Sequence, residues 1–310
     1  MPILQAFGYA AEREAWLGWI LTAIAILTVV IVTVLVLVGS LRNRKEDSRR
    51  LGRSRRGRSW IVIGGFVVPV IVLIGVLVLT FTTLRAVSTP PARPDLTVEV
   101  IGHRWWWEIR YPSASVGSIS TANEIHVPVG KMVRLELVTG DVIHSFWTPQ
   151  LAGKRDLIPG QRNTLWIRAD SVGAYRGQCG EYCGLQHAHM ASVVVAESPA
   201  DFERWLAQLR SPAVTSENDD VQRGRDVFER SACAFCHTIR GTDAGGRLGP
   251  DLTHFASRTT LAAGTLQNNR GNLAGWIANP QELKPGTLMP ALPLSPSELH
   301  AVVAYLETLQ

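Results

Sequence analysis

Residues 179–190 have the sequence Cys179-Gly180-Glu181-Tyr182-Cys183-Gly184-Leu185-Gln186-His187-Ala188-His189-Met190. The stretch combines two thiols, two imidazoles and a thioether, and such soft or borderline donors select copper, zinc or iron over magnesium or calcium. A further imidazole lies upstream in Asp141-Val142-Ile143-His144-Ser145-Phe146. The sequence therefore predicts a transition-metal site built from His144 and the 179–190 stretch.

The order and spacing of these side chains resemble the binuclear copper (CuA) site of subunit II of haem–copper cytochrome c oxidases. The resemblance implies two bridging thiolates, one histidine ligand for each copper, a weak axial thioether and a backbone carbonyl ligand. The resemblance makes Cys179 and Cys183 the bridging thiolates, and His144 and His187 the histidine ligands. Met190 is then the axial thioether, and Glu181 supplies the backbone carbonyl.

Two other interpretations use the same residues. A structural zinc site also combines two cysteines with two histidines, but zinc would require neither Met190 nor Glu181. A Cys179–Cys183 disulfide is compatible with an extracytoplasmic protein, but it leaves the histidines unexplained. His189 lies outside the pattern, and we expect it to pack or to face solvent.

Two long apolar runs precede this part of the chain, Trp16–Val38 and Trp60–Leu84. A bilayer is crossed by roughly 20 residues, and the length and lack of charge of these runs argue against buried core helices. The segment Arg42–Arg58 between them holds nine basic residues. The positive-inside rule places that loop in the cytoplasm, with the N-terminus and everything after residue 85 outside.

These features predict a multi-pass membrane protein, and the resemblance implies the bacterial inner membrane. Residues 1–15 lack the basic segment that begins a signal peptide, so no signal peptide is predicted. The formal net charge is +5, whereas residues 41–59 alone carry nine basic and two acidic side chains. Because the positive charge is confined to one short loop, no nucleic-acid partner is expected.

Alternating apolar and polar residues after the second run predict strands, separated by turn signals such as Pro128-Val129-Gly130. The segments are Leu96–Gly102, Lys131–Val138, Thr164–Arg168 and Ala191–Ala196. Several short strands of this kind favour a β-sandwich or barrel, and the resemblance implies its cupredoxin-like form. A short helix over Ala200–Leu209 is expected to close this domain.

The aromatic run after the first strand, Trp105-Trp106-Trp107, has two interpretations. An aromatic cluster in the core or at the membrane surface suits Trp106 and Trp107. The resemblance implies that Trp105 is a surface residue through which an electron enters.

The C-terminal part contains Cys233-Ala234-Phe235-Cys236-His237, the Cys-x-x-Cys-His pattern of covalent haem c attachment. Alone, the pentapeptide could be accidental or bind zinc. Its context is a helical run over Val221–Arg230, Leu248-Gly249-Pro250, Gly286–Pro290 and an amphipathic segment Pro296–Leu309. In this order the motifs resemble class I cytochrome c over residues 221–310.

That resemblance implies thioether bonds from Cys233 and Cys236, with His237 as the proximal iron ligand and Met289 as the distal one. It also implies that the Pro250 carbonyl braces His237. Competing distal ligands are His254 and His300, although the first lies close after the Pro250 loop and the second falls on the final helix.

The sequence thus predicts a multidomain membrane protein with a two-helix transmembrane hairpin in residues 1–90, a cupredoxin-like β-sandwich or barrel in 91–211, and a linker and all-α cytochrome c domain in 212–310. The resemblances imply subunit II of a terminal cytochrome c oxidase that passes electrons from its own haem c to CuA and on to subunit I, with oxygen reduction coupled to proton translocation. Implied partners are subunits I and III, membrane lipid, and a donor such as a cytochrome bc complex or a soluble cytochrome. A flexibly tethered haem would raise the local donor concentration, plausibly to about millimolar.

Two details of the pattern leave alternatives open. The Glu181 carboxylate could help to hold magnesium at the interface with subunit I, or it could be an exposed charge. Many relatives have a Glu near the start of the second helix that feeds a proton channel, but residues 60–66 contain no acid.

Three rival classes fit less well. A quinol oxidase subunit lacks the copper ligands, nitrous oxide reductase is soluble and carries a catalytic propeller, and a structural or metal-storage protein needs no haem motif.

Overall fold

The structure, a computed structural model, describes residues 5–41, 55–89, 93–113, 117–214, 216 and 218–310. It divides into two compact units, one of Met1–Ala11 with Ala92–Gln310 and the other of Glu12–Pro91. Most of the basic loop, residues 42–54, lies outside the described residues.

Two long apolar helices make up the second unit, as predicted. Helix α1 is Tyr9–Leu41, and helix α2 consists of Arg55–Val62, a π-helical turn Ile63–Val67, and Val68–Ser88. Both are long and apolar enough to cross a membrane, and their apolar windows are not buried within the structure. The π turn precedes Pro69, whose missing N–H interrupts the regular hydrogen-bond ladder, so a local widening of the helix is expected there.

The part after the helices begins with a sandwich of two five-stranded sheets in the described residues. The strands are β1 Leu96–His103, β2 Trp106–Ser113, β3 Gly117–Ala122, β4 Glu124–Pro128, β5 Val133–Thr139, β6 His144–Trp147, β7 Arg155–Leu157, β8 Asn163–Ile167, β9 Gly173–Cys179 and β10 Ala191–Glu197. Their orders are β3-β2-β1-β5-β8 and β4-β10-β9-β6-β7.

Strand alternation builds the sandwich core. Along β5, buried and partly exposed residues alternate at every position, because successive side chains of a strand point to opposite faces. The fully buried side chains include Trp107, Leu135 and Phe146. The strands predicted around β1, β5, β8 and β10 are confirmed, and the fold is cupredoxin-like as predicted.

A helix closes the sandwich and a small helical module follows. The closing helix is α3, Pro199–Arg210, whose first turn is capped by the Ser198 hydroxyl. The module contains α4 Asp219–Arg230, α5 Cys233–Cys236, a hairpin of β11 Thr260–Leu261 and β12 Leu266–Gln267, α6 Arg270–Ala278, α7 Pro280–Leu283 and α8 Pro296–Leu306.

The first and last helices of the module cross closely. The rings of Phe228 on α4 and Tyr305 on α8 lie 6.0 Å apart. At the crossing, a Cβ on Gly224 would lie 2.0 Å from the Ala301 carbonyl oxygen. Since backbone cannot yield as a flexible side chain can, this contact requires glycine.

We expect Gly224→Ala to destabilise the helical module by about 3 kcal/mol through overpacking. Hydrogen–deuterium exchange of the α4 and α8 amides in the full-length chain measures the loss. The matched control is Gly275→Ala within α6, where a Cβ meets nothing within 4 Å, and which should be neutral or stabilise by up to about 1 kcal/mol. Equal protection of the two helices in G224A and wild type would contradict the close crossing.

Candidate functional site

The sulfur and imidazole groups meet at one end of the sandwich because β6 and β9 are antiparallel neighbours. Phe146 of β6 pairs with Cys179 of β9. The Gly180 amide donates to the Ser145 carbonyl over 2.8 Å, and the Cys179 amide donates to the Met190 carbonyl over 2.9 Å. Backbone pairing therefore fixes both ends of the 179–190 loop.

All six residues predicted to bind copper come together there. Ligand atoms of His144, Cys179 and Cys183 lie within 4.8 Å of one another, and all three residues are buried. Four contacts describe the cluster: Cys179 Sγ to His144 Nδ1 at 4.0 Å, Cys179 Sγ to the Glu181 carbonyl oxygen at 3.1 Å, Cys183 Sγ to His187 Nδ1 at 3.6 Å, and Cys183 Sγ to Met190 Sδ at 3.9 Å.

Asp141 orients one of the histidines. The imidazole of His144 bonds to Asp141 Oδ1 through Nε2 at 2.8 Å, so Nδ1 faces the sulfurs. The same carboxylate accepts from the amides of Val142 and Arg104. A carboxylate on the remote nitrogen of a ligand histidine fixes its tautomer and orientation. The sequence reasoning missed Asp141, although a carboxylate three residues before a ligand histidine was a signal that could have identified it.

The charges of this pair follow from its hydrogen bonds. Burial would raise the pKa of Asp141, but the bonds from His144 and from the two amides hold it well below the ordinary value. Burial opposes protonation of His144, yet Asp141 and Cys179 raise its pKa. Asp141 therefore stays an ionised carboxylate beside the His144 imidazole.

The two thiols are buried and form no disulfide. A hydrogen bond with Cys183 lowers the pKa of Cys179, and His144 and nearby backbone groups lower it further. The same hydrogen bond, together with burial, raises the pKa of Cys183. Cys179 is therefore the first to become a thiolate, the form in which cysteine binds metal.

The donor set fits a copper pair. Structural zinc is almost always bound by four ligands in a tetrahedron, whereas two sulfurs, two imidazoles, a thioether and a carbonyl exceed that number. His189 takes no part, because its Nδ1 bonds to Gln186 Oε1 at 2.8 Å. The Glu181 carboxylate pairs with Lys154 Nζ at 3.1 Å, with both side chains nearly half exposed.

A second candidate site lies in the helical module. Cys233 and Cys236 begin and end the single turn of α5, and His237 Nδ1 bonds to the Pro250 carbonyl oxygen at 2.8 Å. Burial lowers the pKa of His237, which favours the neutral imidazole that binds iron. A Cβ on Gly249 would lie 2.6 Å from the His237 ring, so the Pro250 loop lies tightly against that ring.

The residues flanking these positions suit a porphyrin. Phe235, Leu248 and Leu288 are 78%, 73% and 80% exposed, respectively. In the sequence, Phe235 precedes Cys236, Leu248 precedes Gly249, which contacts His237, and Leu288 precedes Met289. Exposed large apolar side chains that cluster mark a ligand-binding surface, and a haem would cover them.

Met289, the residue predicted as the distal ligand, lies on a separate loop. Gln281 Nε2 donates to the carbonyls of Thr287 and Met289, each at 2.7 Å. The competing histidines are engaged elsewhere. His254 is buried with its ring nitrogens on the carbonyls of Gln310 and Ser211, and His300 contacts Arg270.

Trp105 differs from its predicted position. It is 7% exposed rather than a surface residue. Its indole Nε1 donates to the Cys183 carbonyl at 3.0 Å, and its own carbonyl accepts from Lys284 Nζ. A Cβ on Gly286 would lie 3.4 Å from the indole ring. The helical module covers Trp105, a contact between distant residues that the local sequence does not reveal. Trp107 is a core residue, and Trp106 stacks on His103.

Comparison with known proteins finds two families in this chain. Residues 96–197 match the periplasmic domain of cytochrome c oxidase subunit II, and residues 221–310 match cytochrome c. The periplasmic domain of subunit II of cytochrome oxidase (CoxB) of Bradyrhizobium japonicum is 31% identical, with 38% of this chain and 96% of that chain covered and a TM-score of 0.36.

Curated relatives extend over nearly the whole chain. Cytochrome c oxidase subunit 2 of Alkalihalophilus pseudofirmus is 35% identical over 92% of this chain and 84% of its own length. Cytochrome c oxidase subunit 2 of Bacillus subtilis is 30% identical over 87% of this chain and 80% of its own length. The matched domains imply copper and haem, and the apolar helices imply a membrane anchor for an extracytoplasmic part. The chain belongs to the cytochrome c oxidase subunit 2 family and carries a C-terminal cytochrome c domain.

Proposed function

We propose that this chain passes electrons from a haem c in residues 212–310 to a CuA centre in residues 91–211, and from there to the haem of oxidase subunit I. The observation that carries the proposal is the convergence of six donor groups at one end of the sandwich. The cytochrome c domain also contacts residues 179–190 there, which we call the copper loop. Oxygen reduction to water, coupled to proton translocation, belongs to the assembled oxidase.

The copper-site residues suit repeated one-electron transfer. Cys179 and Cys183 would hold two copper ions between them and spread the charge over both, so little rearrangement would be needed when an electron arrives or leaves. Met190, whose Sδ lies 3.9 Å from Cys183 Sγ, would offer a thioether donor, and the site is buried around His144. Axial donors and surrounding apolar groups tune the potential of copper–thiolate sites.

The haem-site residues divide the work of attachment and ligation. Cys233 and Cys236 would supply the covalent anchors, His237 the proximal nitrogen and Met289 the distal sulfur. Histidine–methionine ligation would raise the haem potential into the range typical of electron-transfer cytochromes. The Pro250 carbonyl holds the His237 ring in one orientation.

Trp105 lies between the two sites and is proposed as part of the electron path. Its indole N–H bonds to the carbonyl of Cys183, and Gly286, near Met289, contacts the ring from the cytochrome domain. An electron that arrives from outside would then reach haem c first, because the cytochrome domain covers Trp105.

The proposed setting is the bacterial inner membrane, with residues 1–90 as the anchor and both chain ends on the extracytoplasmic side. The backbone of Phe7 bonds to Gln150 and Asp170 of the sandwich, which supports an outside N-terminus. Proposed partners are subunits I and III, membrane lipid, and a cytochrome bc complex or soluble cytochrome as donor. Magnesium at Glu181 would require additional ligands from subunit I and exchange of the Lys154 ion pair.

We expect Cys183→Ser to abolish the near-infrared absorption of a mixed-valence copper pair and to leave haem c reducible, because serine offers no bridging thiolate. Optical spectra and metal analysis of the full-length protein measure both. His189→Gln is the matched control in the same loop and should retain both signals, since its side chain points to Gln186. Zinc in place of paired copper in the wild type would contradict the proposed function.

We expect Met289→Leu to keep haem covalently bound but to lower its reduction potential, because the distal sulfur is lost while Cys233 and Cys236 remain. Redox titration and the sulfur-to-iron charge-transfer band measure this change. Met132→Leu, a buried substitution in the sandwich, is the control and should change neither. An unaltered charge-transfer band in M289L would exclude Met289 as the ligand.

A further inference from the structure

A single buried lysine connects the loops that carry the two sites. Lys284 is 2% exposed. Its Nζ donates to the carbonyl oxygens of Trp105 at 2.7 Å, His189 at 2.7 Å and Ala262 at 3.1 Å. We refer to Lys284 and these three acceptors as the Lys284 clamp.

The clamp is matched to an ammonium group. An ammonium has three N–H donors, and each of them has a carbonyl acceptor. Among the described residues, the ion pairs found do not include Lys284. Burial lowers the pKa of Lys284 to about 7, and the charge of the nearby Cys183 thiolate raises it. Burying a charge is costly, and a hydrophobic side chain could fill the same space. A specific positional role would account for a lysine here.

The three acceptors belong to functional loops. The first, Trp105, donates its indole N–H to the Cys183 carbonyl. The second, His189, stands between the copper-site residues His187 and Met190. The third, Ala262, lies in the turn between β11 and β12 of the cytochrome domain, where its φ is +53°.

The residues after Lys284 extend the contact toward the haem site. The Pro285 carbonyl accepts from Gln186 Nε2 at 2.8 Å. Gly286 has φ +85° and lies against the Trp105 ring, so a side chain there would be strained as well as crowded. Met289 follows three residues later. One short segment therefore contacts the copper loop and carries the distal haem position.

We propose that Lys284 is a positioning residue for electron transfer between the two sites, because its three bonds hold the Met289 loop, Trp105 and the copper loop in one fixed arrangement. This inference rests on the proposed function. In the transfer, one electron would leave the haem held by Cys233, Cys236 and His237 and would reduce the copper held by Cys179 and Cys183. In its ammonium form, Lys284 would also place a positive charge beside the copper loop, which favours the reduced copper pair.

The test is flash-induced electron injection into the full-length protein loaded with copper and haem c, followed at the haem and near-infrared copper bands. Lys284→Met removes the charge and all three donors. We expect transfer to slow by about tenfold or more, since misplacement by about 1 Å can reduce rates that depend on orientation by as much as 100-fold. The copper reduction potential should also fall, a change that loss of stability alone would not produce.

Two further variants make the outcome decisive. Lys284→Arg retains the charge and several donors, and it should recover most of the rate and the potential. Thr259→Val removes one of two bonds to Glu124 elsewhere in the same interface and should change neither. If K284M fails to fold or to load, Lys284→Gln takes its place, because its amide is uncharged and offers two N–H donors instead of three. It should slow the transfer and lower the copper potential, and a wild-type rate and potential in K284Q would overturn the role of Lys284.

The outcomes separate the two proposals. Absence of haem-to-copper transfer in the wild type would overturn the proposed function. Normal transfer in wild type and in K284M, with intact spectra and unchanged copper potential, would overturn the role of Lys284 and leave the relay in place.

Discussion

The pairing of β6 with β9 is the constraint on which the copper site depends. It brings His144 and Cys179, which are distant in sequence, to the same end of the sandwich, and the bond from Gly180 to Ser145 continues that pairing into the ligand loop. Asp141 then fixes the His144 ring. The donor groups are thus arranged by backbone hydrogen bonds and a buried core rather than by the metal alone. Preorganised ligands of this kind are expected where a metal must change charge without the protein moving.

The interface between the sandwich and the cytochrome domain is the second constraint. Its polar contacts are buried or partly buried: Lys284 Nζ with three carbonyls, Thr259 with Glu124, and Arg258 with Thr121. Backbone also crosses the boundary, since the Ala191 amide bonds to the Ala263 carbonyl at 2.9 Å. A flexibly tethered donor, as the linker composition suggested, would not require such contacts. The cytochrome domain is instead docked on the copper loop.

The docked cytochrome domain changes the expected role of Trp105. A surface tryptophan next to a copper loop would be available to a soluble donor. Here the same side chain is enclosed by Lys284 and Gly286, with its indole N–H on the Cys183 carbonyl. The cytochrome domain therefore covers the side chain at which the resemblance implied electron entry.

Local patterns predicted much of this molecule. The cysteine–histidine spacings indicated both sites, and the alternation in Val133–Thr139 identified β5. Strands β2 and β9 were not predicted, and the reasons are physical. Strand β2 begins with adjacent tryptophans that mask its alternation, and β9 contains two glycines, which disfavour a strand by composition.

Long-range contacts could not be predicted from the sequence, for a different reason. Nothing near Lys284 indicates burial, because its three acceptors come from loops that are distant along the chain. Such roles are set by tertiary packing, whereas the ligand motifs are set by local spacing.

The central claim, that one chain holds two redox sites in a fixed arrangement, is tested most directly by pulsed electron paramagnetic resonance of the full-length protein. The measurement gives the distribution of distances between the oxidised haem iron and the mixed-valence copper pair. The account predicts a single narrow distribution that does not change with ionic strength, because buried contacts are screened little by salt. A broad or multiple distribution, or one that shifts with salt, would contradict a docked cytochrome domain.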